Sequence, residues 1–384
     1  MLPEGWKETT LEKYIHVKHG YAFKGEYFSN SGKYIVLTPG NFFETGGFKE
    51  QKDKIKYYSG EIPKEYILKK GDCILAMTEQ GAGLLGSAAF IPNDDKFLHN
   101  QRIGLIEITD PNSVSSDFLY WLYNDPKNRL IISNEAGGTK VKHTSPKKLV
   151  DISILLPPLS EQKKIAAILS TWDRAIEETE KLLANSQQQK KALMQQLLTG
   201  KKRLPGFTGE WKTKYLGDIA DIQTGSSNRQ DSLTNGEYTF FDRSEDIRTS
   251  NRYLFDCEAV IVPGEGQDFV PKYFVGKFDL HQRTYAISCF QACDGKFIFY
   301  TVGYHRSHFL SQAVGSTVKS LRLPMFQKMP LKLPPLSEQR AIAAVLTTAD
   351  EKLAALESDL SRLRQEKKAL MQQLLTGKRR VTVD

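Results

Sequence analysis

The segment KKALMQQLLTGK occurs twice in this chain, at residues 190–201 and 367–378. The similarity extends upstream, because LPPLSEQ occupies 156–162 and 333–339, and IAAIL at 165–169 corresponds to IAAVL at 342–346. The same 177-residue spacing separates the copies throughout. A constant spacing predicts a continuous helix in each copy, since one inserted residue would rotate the apolar face of a helix by about 100°.

Both copies carry signals for the ends of such a helix. Pro157 and Pro158 cannot lie in a helix interior, Ser160 is a suitable N-cap, and Gly200 is a suitable residue just after the C-terminus. The second copy has Pro334, Pro335, Ser337 and Gly377 at the same places. We therefore expect a helix over 161–199 that is about 58 Å long at ~1.5 Å per residue, and its repeat in the second copy.

Leucines recur along the second segment at steps of three and four, which is a coiled-coil heptad, and the first segment carries a more polar set of residues at the same positions. The positions of this predicted seam are Ile176, Leu183, Leu193 and Leu197 in the first copy and Leu353, Leu356, Leu360, Leu363, Leu370 and Leu374 in the second. The first seam is the more polar, which favours pairing between two different helices over pairing between like ones. We predict an antiparallel coiled coil; the alternative is that each helix packs only on its neighbouring domain.

The regions between the helices also repeat, more weakly. Trp6 with Leu11 matches Trp211 with Leu216, and GGTKVK at 137–142 matches VGSTVK at 314–319. Short β-rich runs broken by glycine indicate mainly β domains with a few helices. The fold class is therefore predicted as α+β: two mainly β domains at 1–155 and 205–332, long helical segments at 156–204 and 333–384, and a pseudo-twofold internal repeat.

Composition limits the partners and the compartment. The 384 residues include 53 Lys and Arg against 45 Asp and Glu, and the net charge of +8 favours a polyanionic partner. The chain start lacks a signal-peptide pattern, and no run approaches 18 apolar residues, so we expect a cytoplasmic protein without membrane partners. Four cysteines do not make a disulfide framework in a chain of this length.

Motifs for other chemistry are weak. GAGLLG at 81–86 fits a dinucleotide-binding pattern, but the following residues, SAAFIP, indicate a strand where that motif requires a helix. Cys289, Cys293, His305 and His308 approach a zinc-finger spacing, although the histidines are too close and the first domain has no equivalent. We expect no metal, no catalytic residue and no cofactor in this chain.

The order of variable domain, LPPLSEQ helix, second variable domain and second helix resembles the specificity subunit of a type I restriction-modification enzyme. The resemblance covers the whole chain. It implies that each variable domain is a target recognition domain for one half of a bipartite double-stranded DNA site. It also implies that the helices set the distance between the domains and bind two modification (methyltransferase) subunits, together with restriction (translocase and nuclease) subunits. S-adenosylmethionine, ATP and Mg are then expected in those partners. The chain departs from the repeat after Gly377, where we expect a final linker with no domain to enter.

Candidate DNA contacts follow from comparing the two domains. Residues shared by both domains cannot distinguish two sequences, so we expect them to hold phosphates or the scaffold: Gln101, Arg102 and Lys142, with Gln282, Arg283 and Lys319. Base contacts are predicted at divergent polar positions: Asn41, Gln80, Lys140 and His143 in the first domain, and Arg229, Arg243, Gln267 and Arg322 in the second. The alternative function is a bivalent protein-binding adaptor with a coiled-coil spacer.

Overall fold

The computed structural model of the protein describes residues 2–79 and 83–383. The chain divides into two compact units, one made of Met1–Glu178 with Leu360–Asp384 and the other of Thr179–Asp359. Both long helices thus contribute residues to both units. The predicted boundaries at 155, 204 and 332 follow the order of the chain, whereas these units cut across both helices.

The first unit contains twelve short strands among its described residues, with three helices before the long one. The strands are β1 (Lys7–Thr9), β2 (Ile15–His19), β3 (Phe28–Ser29), β4 (Tyr34–Val36), β5 (Tyr57–Tyr58), β6 (Cys73–Ala76), β7 (Thr78–Glu79), β8 (Ala88–Phe90), β9 (Phe97–Leu98), β10 (Ile103–Ile108), β11 (Lys142–His143) and β12 (Ile154–Leu156). The helices are α1 (Ser116–Asn124), α2 (Pro126–Asn134), α3 (Pro146–Val150) and the long α4 (Leu159–Leu197).

The described residues of the first unit form two four-stranded sheets and two ribbons. One sheet has the order β2-β10-β6-β8 and the other the order β3-β5-β4-β9, while β1 pairs with β12 and β7 with β11. Strand β2 alternates buried and exposed residues, as expected for a strand with one face on the core. Helix α1 packs against that core with Phe118, Leu119 and Tyr123, which are all fully buried.

The second unit has ten strands and four helices among its described residues. The strands are β13 (Lys212–Tyr215), β14 (Asp221–Thr224), β15 (Tyr238–Phe241), β16 (Arg248–Ser250), β17 (Phe255–Pro263), β18 (Glu265–Gly266), β19 (Lys272–Leu280), β20 (Thr284–Ser288), β21 (Lys319–Ser320) and β22 (Pro330–Leu333). The helices are α5 (Gly295–Tyr304), α6 (Ser307–Gln312), α7 (Leu323–Gln327) and the long α8 (Leu336–Leu374).

One six-stranded sheet organises the second unit, in the order β14-β20-β17-β19-β15-β16. Strand β17 is buried from Ala259 to Val262, as expected of a central strand covered on both faces. Strand β13 pairs with β22 as β1 pairs with β12, and β18 pairs with β21 as β7 pairs with β11. The two β-rich domains therefore share a plan, which confirms the predicted α+β internal repeat.

The long helices begin earlier than their predicted starts. Helices α4 and α8 start directly after the proline pairs, so Ser160 and Ser337 lie in the first turn and the prediction that they are N-caps is wrong. The main-chain N–H of Gln162 already donates to the carbonyl oxygen of Pro158 at 3.0 Å, which commits the first turn to helix. At the other ends, Gly200 and Gly377 both have φ of +70°, a left-handed conformation that favours glycine after a helix C-terminus.

Within each unit, the two long helices run antiparallel. In the first unit Lys367 of α8 forms an ion pair with Asp173 of α4. In the second unit Lys190 of α4 forms the same ion pair with Asp350 of α8. Each of the ten predicted seam residues is buried or half-buried.

The C-terminal tail packs against the start of the first unit. Arg380 forms an ion pair with Glu161 near the start of α4, with Nε at 2.9 Å from Oε2. Arg203 makes the equivalent ion pair with Glu338 in the second unit, with Nε at 2.5 Å from Oε1. A side chain at Gly377 would meet Pro3 and Trp6, so the tail packs against the first residues of its unit.

Among the helices of the described residues, none is long and apolar enough to cross a membrane.

Candidate nucleic-acid interface

The shared candidate residues lie on one backbone junction that is built in the same way in both units. In the first unit the N–H of Met77 donates to the carbonyl oxygen of Arg102 at 3.0 Å. The N–H of Thr144 donates to the carbonyl oxygen of Met77 at 2.9 Å. In the second unit the N–H of Gly264 donates to the carbonyl oxygen of Arg283 at 2.9 Å. The N–H of Leu321 donates to the carbonyl oxygen of Gly264 at 2.8 Å. The junction joins a turn to a two-stranded ribbon.

The turn carries the Gln-Arg pair. In the first unit the side chain of Asn100 accepts from the N–H of Arg102 at 3.1 Å. In the second unit Nδ1 of His281 accepts from the N–H of Arg283 at 3.0 Å, so Nδ1 carries no proton. Burial lowers the pKa of His281, in agreement with a neutral ring. Gln101, Arg102, Gln282 and Arg283 are all exposed at the tip of this turn.

The ribbon carries the shared lysines, and a glycine sets its geometry. Gly138 and Gly315 have φ of +97° and +117°. A Cβ at Gly138 would lie 2.1 Å from the carbonyl oxygen of Val141, and one at Gly315 would lie 2.3 Å from that of Val318, so only glycine fits. The turns place Lys142 opposite Glu79 and Lys319 opposite Gly266 in register.

The backbone after the first ribbon is held by two oppositely charged side chains. The buried carboxylate of Glu79 accepts from the N–H groups of Gly83, Leu84 and Leu85 at 3.1, 2.8 and 2.9 Å. Arg129 donates through Nε to the carbonyl oxygen of Leu85 at 2.7 Å and through Nη2 to that of Gly83. Burial lowers the pKa of Arg129 to about 10, which leaves it charged at neutral pH.

The first-domain base candidates fall into different environments. Lys140 and His143 are exposed beside the ribbon. Lys142 is half-buried and its Nζ donates to Oγ of Ser133 at 3.2 Å. Gln80 lies outside the described residues.

Asn41 is unsuited to base contact, contrary to the prediction. It is only 5% exposed. Its Oδ1 accepts from the N–H of Thr38 at 2.9 Å and its Nδ2 donates to the carbonyl oxygen of Lys49 at 3.3 Å. The amide is thus used inside the domain to fix a turn.

In the second unit, Glu265 brings together two arginines from distant parts of the chain. Its Oε2 lies 3.1 Å from Nη1 of Arg243, and its Oε1 accepts from Nη1 of Arg283. The Glu265 side chain is 15% exposed, whereas those of Arg243 and Arg283 are 53% and 60% exposed. The carboxylate is therefore covered while both guanidinium groups face solvent.

A second carboxylate, Asp242, holds two further arginines. It is 3% exposed, with Nε of Arg248 at 3.5 Å and Nε of Arg229 at 3.9 Å from Oδ2. Burial alone would raise the pKa of Asp242, but hydrogen bonds from Ser244 and the charges of Arg248 and Arg229 outweigh it and lower the pKa. Asp242 is consequently ionised at neutral pH.

The remaining second-domain candidates lie on or near the ribbon formed by β18 and β21. Lys319 lies on β21, Gln267 follows β18, and Arg322 lies just beyond β21. All three are exposed. Gln282 is held by its Nε2, which donates to Oδ1 of Asn228 at 2.6 Å.

The alternative zinc residues do not form a metal-binding group in the part of the chain that the structure describes. No cluster of three or more His, Cys, Asp or Glu side chains suited to a metal occurs there. The ring of His308 instead lies 3.1 Å from the carbonyl oxygen of Met325. The strand predicted after the GAGLLG segment is β8, which confirms that a strand stands where the dinucleotide motif requires a helix.

Sequence reasoning missed the four charged residues that organise these surfaces: Glu79, Arg129, Asp242 and Glu265. None belongs to a repeated motif, and the register places Gly266 opposite the shared lysine where the first domain has Glu79. Only a comparison of the two domains could have found these residues. A carboxylate that is present in one domain and absent from the other indicates a surface that differs between them.

Comparison with known proteins was made against family models, curated relatives and solved structures. The family model described as the type I restriction modification DNA specificity domain matches residues 3–185 and 208–363. The chain is 24% identical over 356 residues to the type I restriction enzyme MjaVIII specificity subunit of Methanocaldococcus jannaschii, covering 83% of this chain and 81% of that protein.

Solved structures show the same fold. The S subunit of a type I restriction-modification system from M. genitalium superposes with a TM-score of 0.68 at 17% identity, over 98% of each chain. A chain from a structure described as showing complex assembly and conformational transition of the type I restriction-modification system has a TM-score of 0.58 at 18% identity, over 99% of this chain and 100% of that one.

Proposed function

The chain belongs to the type I restriction-modification DNA specificity family, and on that premise we propose that each of its two β-rich domains recognises one half of a bipartite DNA site. The observation that carries this proposal is the junction of turn and ribbon that recurs in both units. It presents Arg102 and Lys142 in one domain and Arg283 and Lys319 in the other.

The two junctions carry different neighbours, as two different half-sites would require. The first has a backbone segment, residues 83–85, that Glu79 and Arg129 hold. The second has arginines gathered around Glu265 and Asp242. Arginine can bind guanine bidentately in the major groove, while lysines on a shared backbone suit phosphates of any sequence. The shared lysines then position DNA and the divergent surroundings select its sequence.

The proposal places the catalytic chemistry in partner subunits. Two modification subunits bind the helices, because α4 and α8 repeat the same sequence at both ends and offer two equivalent surfaces. Restriction subunits join through that assembly. S-adenosylmethionine, ATP and Mg belong to these partners, with adenine methylation and DNA cleavage carried out there in the cytoplasm.

Fluorescence anisotropy with duplex DNA over a salt series tests this function against a protein-binding adaptor. A DNA-recognition subunit, assembled with its modification partner, should bind with an affinity that falls steeply as salt rises, because phosphate contacts release counterions. Binding that is absent, or independent of salt, would contradict the proposed function.

A further inference from the structure

The arginines of the two Gln-Arg turns occupy equivalent positions in different electrostatic surroundings. Arg283 is paired with Glu265. The guanidinium group of Arg102 forms no ion pair or hydrogen bond with the described residues. The ribbon explains the difference, because Ser320 pairs in register with Glu265, and its counterpart His143 pairs with Thr78. The first domain thus has threonine where the second has glutamate.

The ion pairs with Glu265 change how Arg283 and Arg243 can contact DNA. A free arginine on the surface is attracted to any phosphate, the dominant source of sequence-independent affinity. Next to a carboxylate that attraction is reduced, while the N–H groups that face solvent keep a fixed direction. Both arginines donate to Glu265 through Nη1, and both remain more than half exposed.

The placement of Glu265 is itself rigid. It lies on β18 directly after Gly264 and pairs in register with Ser320 of β21. A Cβ at Gly264 would lie 2.7 Å from the carbonyl oxygen of Arg283, so the backbone that bears Glu265 approaches the Gln-Arg turn directly. The backbone that bears Glu265 is therefore fixed in place, and it holds the carboxylate beside both arginines.

We propose that Glu265 is a positioning residue for sequence selection in the second domain. It holds Arg243 and Arg283 for bidentate contact with base edges and withholds them from phosphates. This rests on the proposed function, and it assigns Arg283 to base selection although its counterpart Arg102 serves phosphates.

The test uses the full chain assembled with its modification subunits, and measures binding to the cognate duplex and to a duplex of unrelated sequence. Glu265→Gln keeps the shape and removes the charge. Glu265→Thr introduces the residue with which the first domain already folds. Thr78→Glu is the converse change beside Arg102. Thermal unfolding of each variant establishes that it is folded.

Both Glu265 variants should raise affinity for the unrelated duplex roughly tenfold, the effect of a charge-assisted contact. They should also relax base preference in one half of the methylated site and leave the other half unchanged. Thr78→Glu should lower affinity for both duplexes.

Two results would overturn the inference alone: folded Glu265 variants with unchanged affinity and unchanged methylated sequence, or a parallel loss of affinity for both duplexes. A wild-type complex without salt-dependent DNA binding would instead defeat the proposed function.

Discussion

Arg380, close to the end of the chain, forms a bidentate ion pair with Glu161 near the start of the first long helix. The carboxylate of Glu161 is 6% exposed and also accepts from the indole N–H of Trp6 at 3.3 Å. The second unit contains the equivalent bidentate ion pair between Arg203 and Glu338. The C-terminal tail thus pairs with the start of α4 as the segment after α4 pairs with the start of α8.

Replacing Arg380 with alanine should destabilise the first unit selectively, because it leaves the buried Glu161 carboxylate without its cation. Hydrogen exchange should become faster in β1 and in the first turns of α4, while amides of the second unit keep their protection. Arg379→Ala is the matched control, since Arg379 is exposed and its side chain forms no ion pair with Glu161. Equal effects of the two substitutions would show that the ion pair does not matter.

Arg203→Ala should produce the converse pattern. Exchange should then rise around β13 and the first turns of α8, because Glu338 is fully buried and pairs with Arg203. Loss of protection in the first unit instead would contradict the assignment of the two ion pairs to separate units.

The free energy of unfolding should depend on pH because His99 is buried. This side chain is fully buried, its Nε2 donates to the carbonyl oxygen of Ile103 at 2.8 Å, and its Nδ1 has no hydrogen-bond partner among the described residues. Burial lowers the pKa of His99 to about 4. The unfolded chain, with a histidine pKa near 6.5, then binds the proton first, so the free energy of unfolding should fall as pH drops from about 6.5 to 4, by roughly 3 kcal/mol in all.

His99→Gln retains a donor for Ile103 and cannot titrate, so its unfolding free energy should depend less on pH over this range. His16→Gln, at an exposed position, serves as the control and should behave as wild type. Denaturant unfolding at a series of pH values measures both. Parallel pH profiles for wild type and His99→Gln would refute the assignment.

Several parts of the fold could be predicted because they repeat. The constant spacing located both long helices and their terminal glycines, and the two GGTKVK-like segments form the same hairpin. The ion pairs of Glu265 could not be predicted, since Arg243, Glu265 and Arg283 are separated in the sequence and only the tertiary fold brings them together. Asn41 was misassigned because a polar residue in a turn carries the same sequence signal whether its amide faces solvent or the interior.

Glu79→Ala should loosen the described part of the loop after β7, residues 83–85. Removing a buried acceptor of three N–H groups should cost about 2 kcal/mol of unfolding free energy. It should also weaken base preference in one half-site only, as mapped by methylated adenines. Glu44→Ala, which removes an exposed carboxylate on a segment that Arg129 also contacts, should leave stability near wild type. A stable Glu79 variant with unaltered site preference would exclude a role for this loop in recognition.

Lys142→Ala and Lys319→Ala should weaken binding to specific and unrelated DNA by similar factors, because each removes one phosphate contact. The slope of log affinity against log salt should fall by about one unit for each. Arg229→Ala should instead cost about 1 to 3 kcal/mol on the specific site alone. Anisotropy titrations at several salt concentrations separate the two outcomes. Ser133→Ala controls for the hydrogen bond that Lys142 also makes. A lysine variant that relaxed one base position without changing the salt slope would reverse this division of roles.

The independence of the two domains is tested most directly by exchanging one of them. Residues 1–155 would be replaced by the corresponding domain of another specificity subunit, the hybrid would be expressed with its modification subunits, and methylated adenines would be mapped across the host genome. One half of the methylated sequence should change and the other half should stay as in the parent. A change in both halves, or in neither, would contradict recognition of one half-site by each domain.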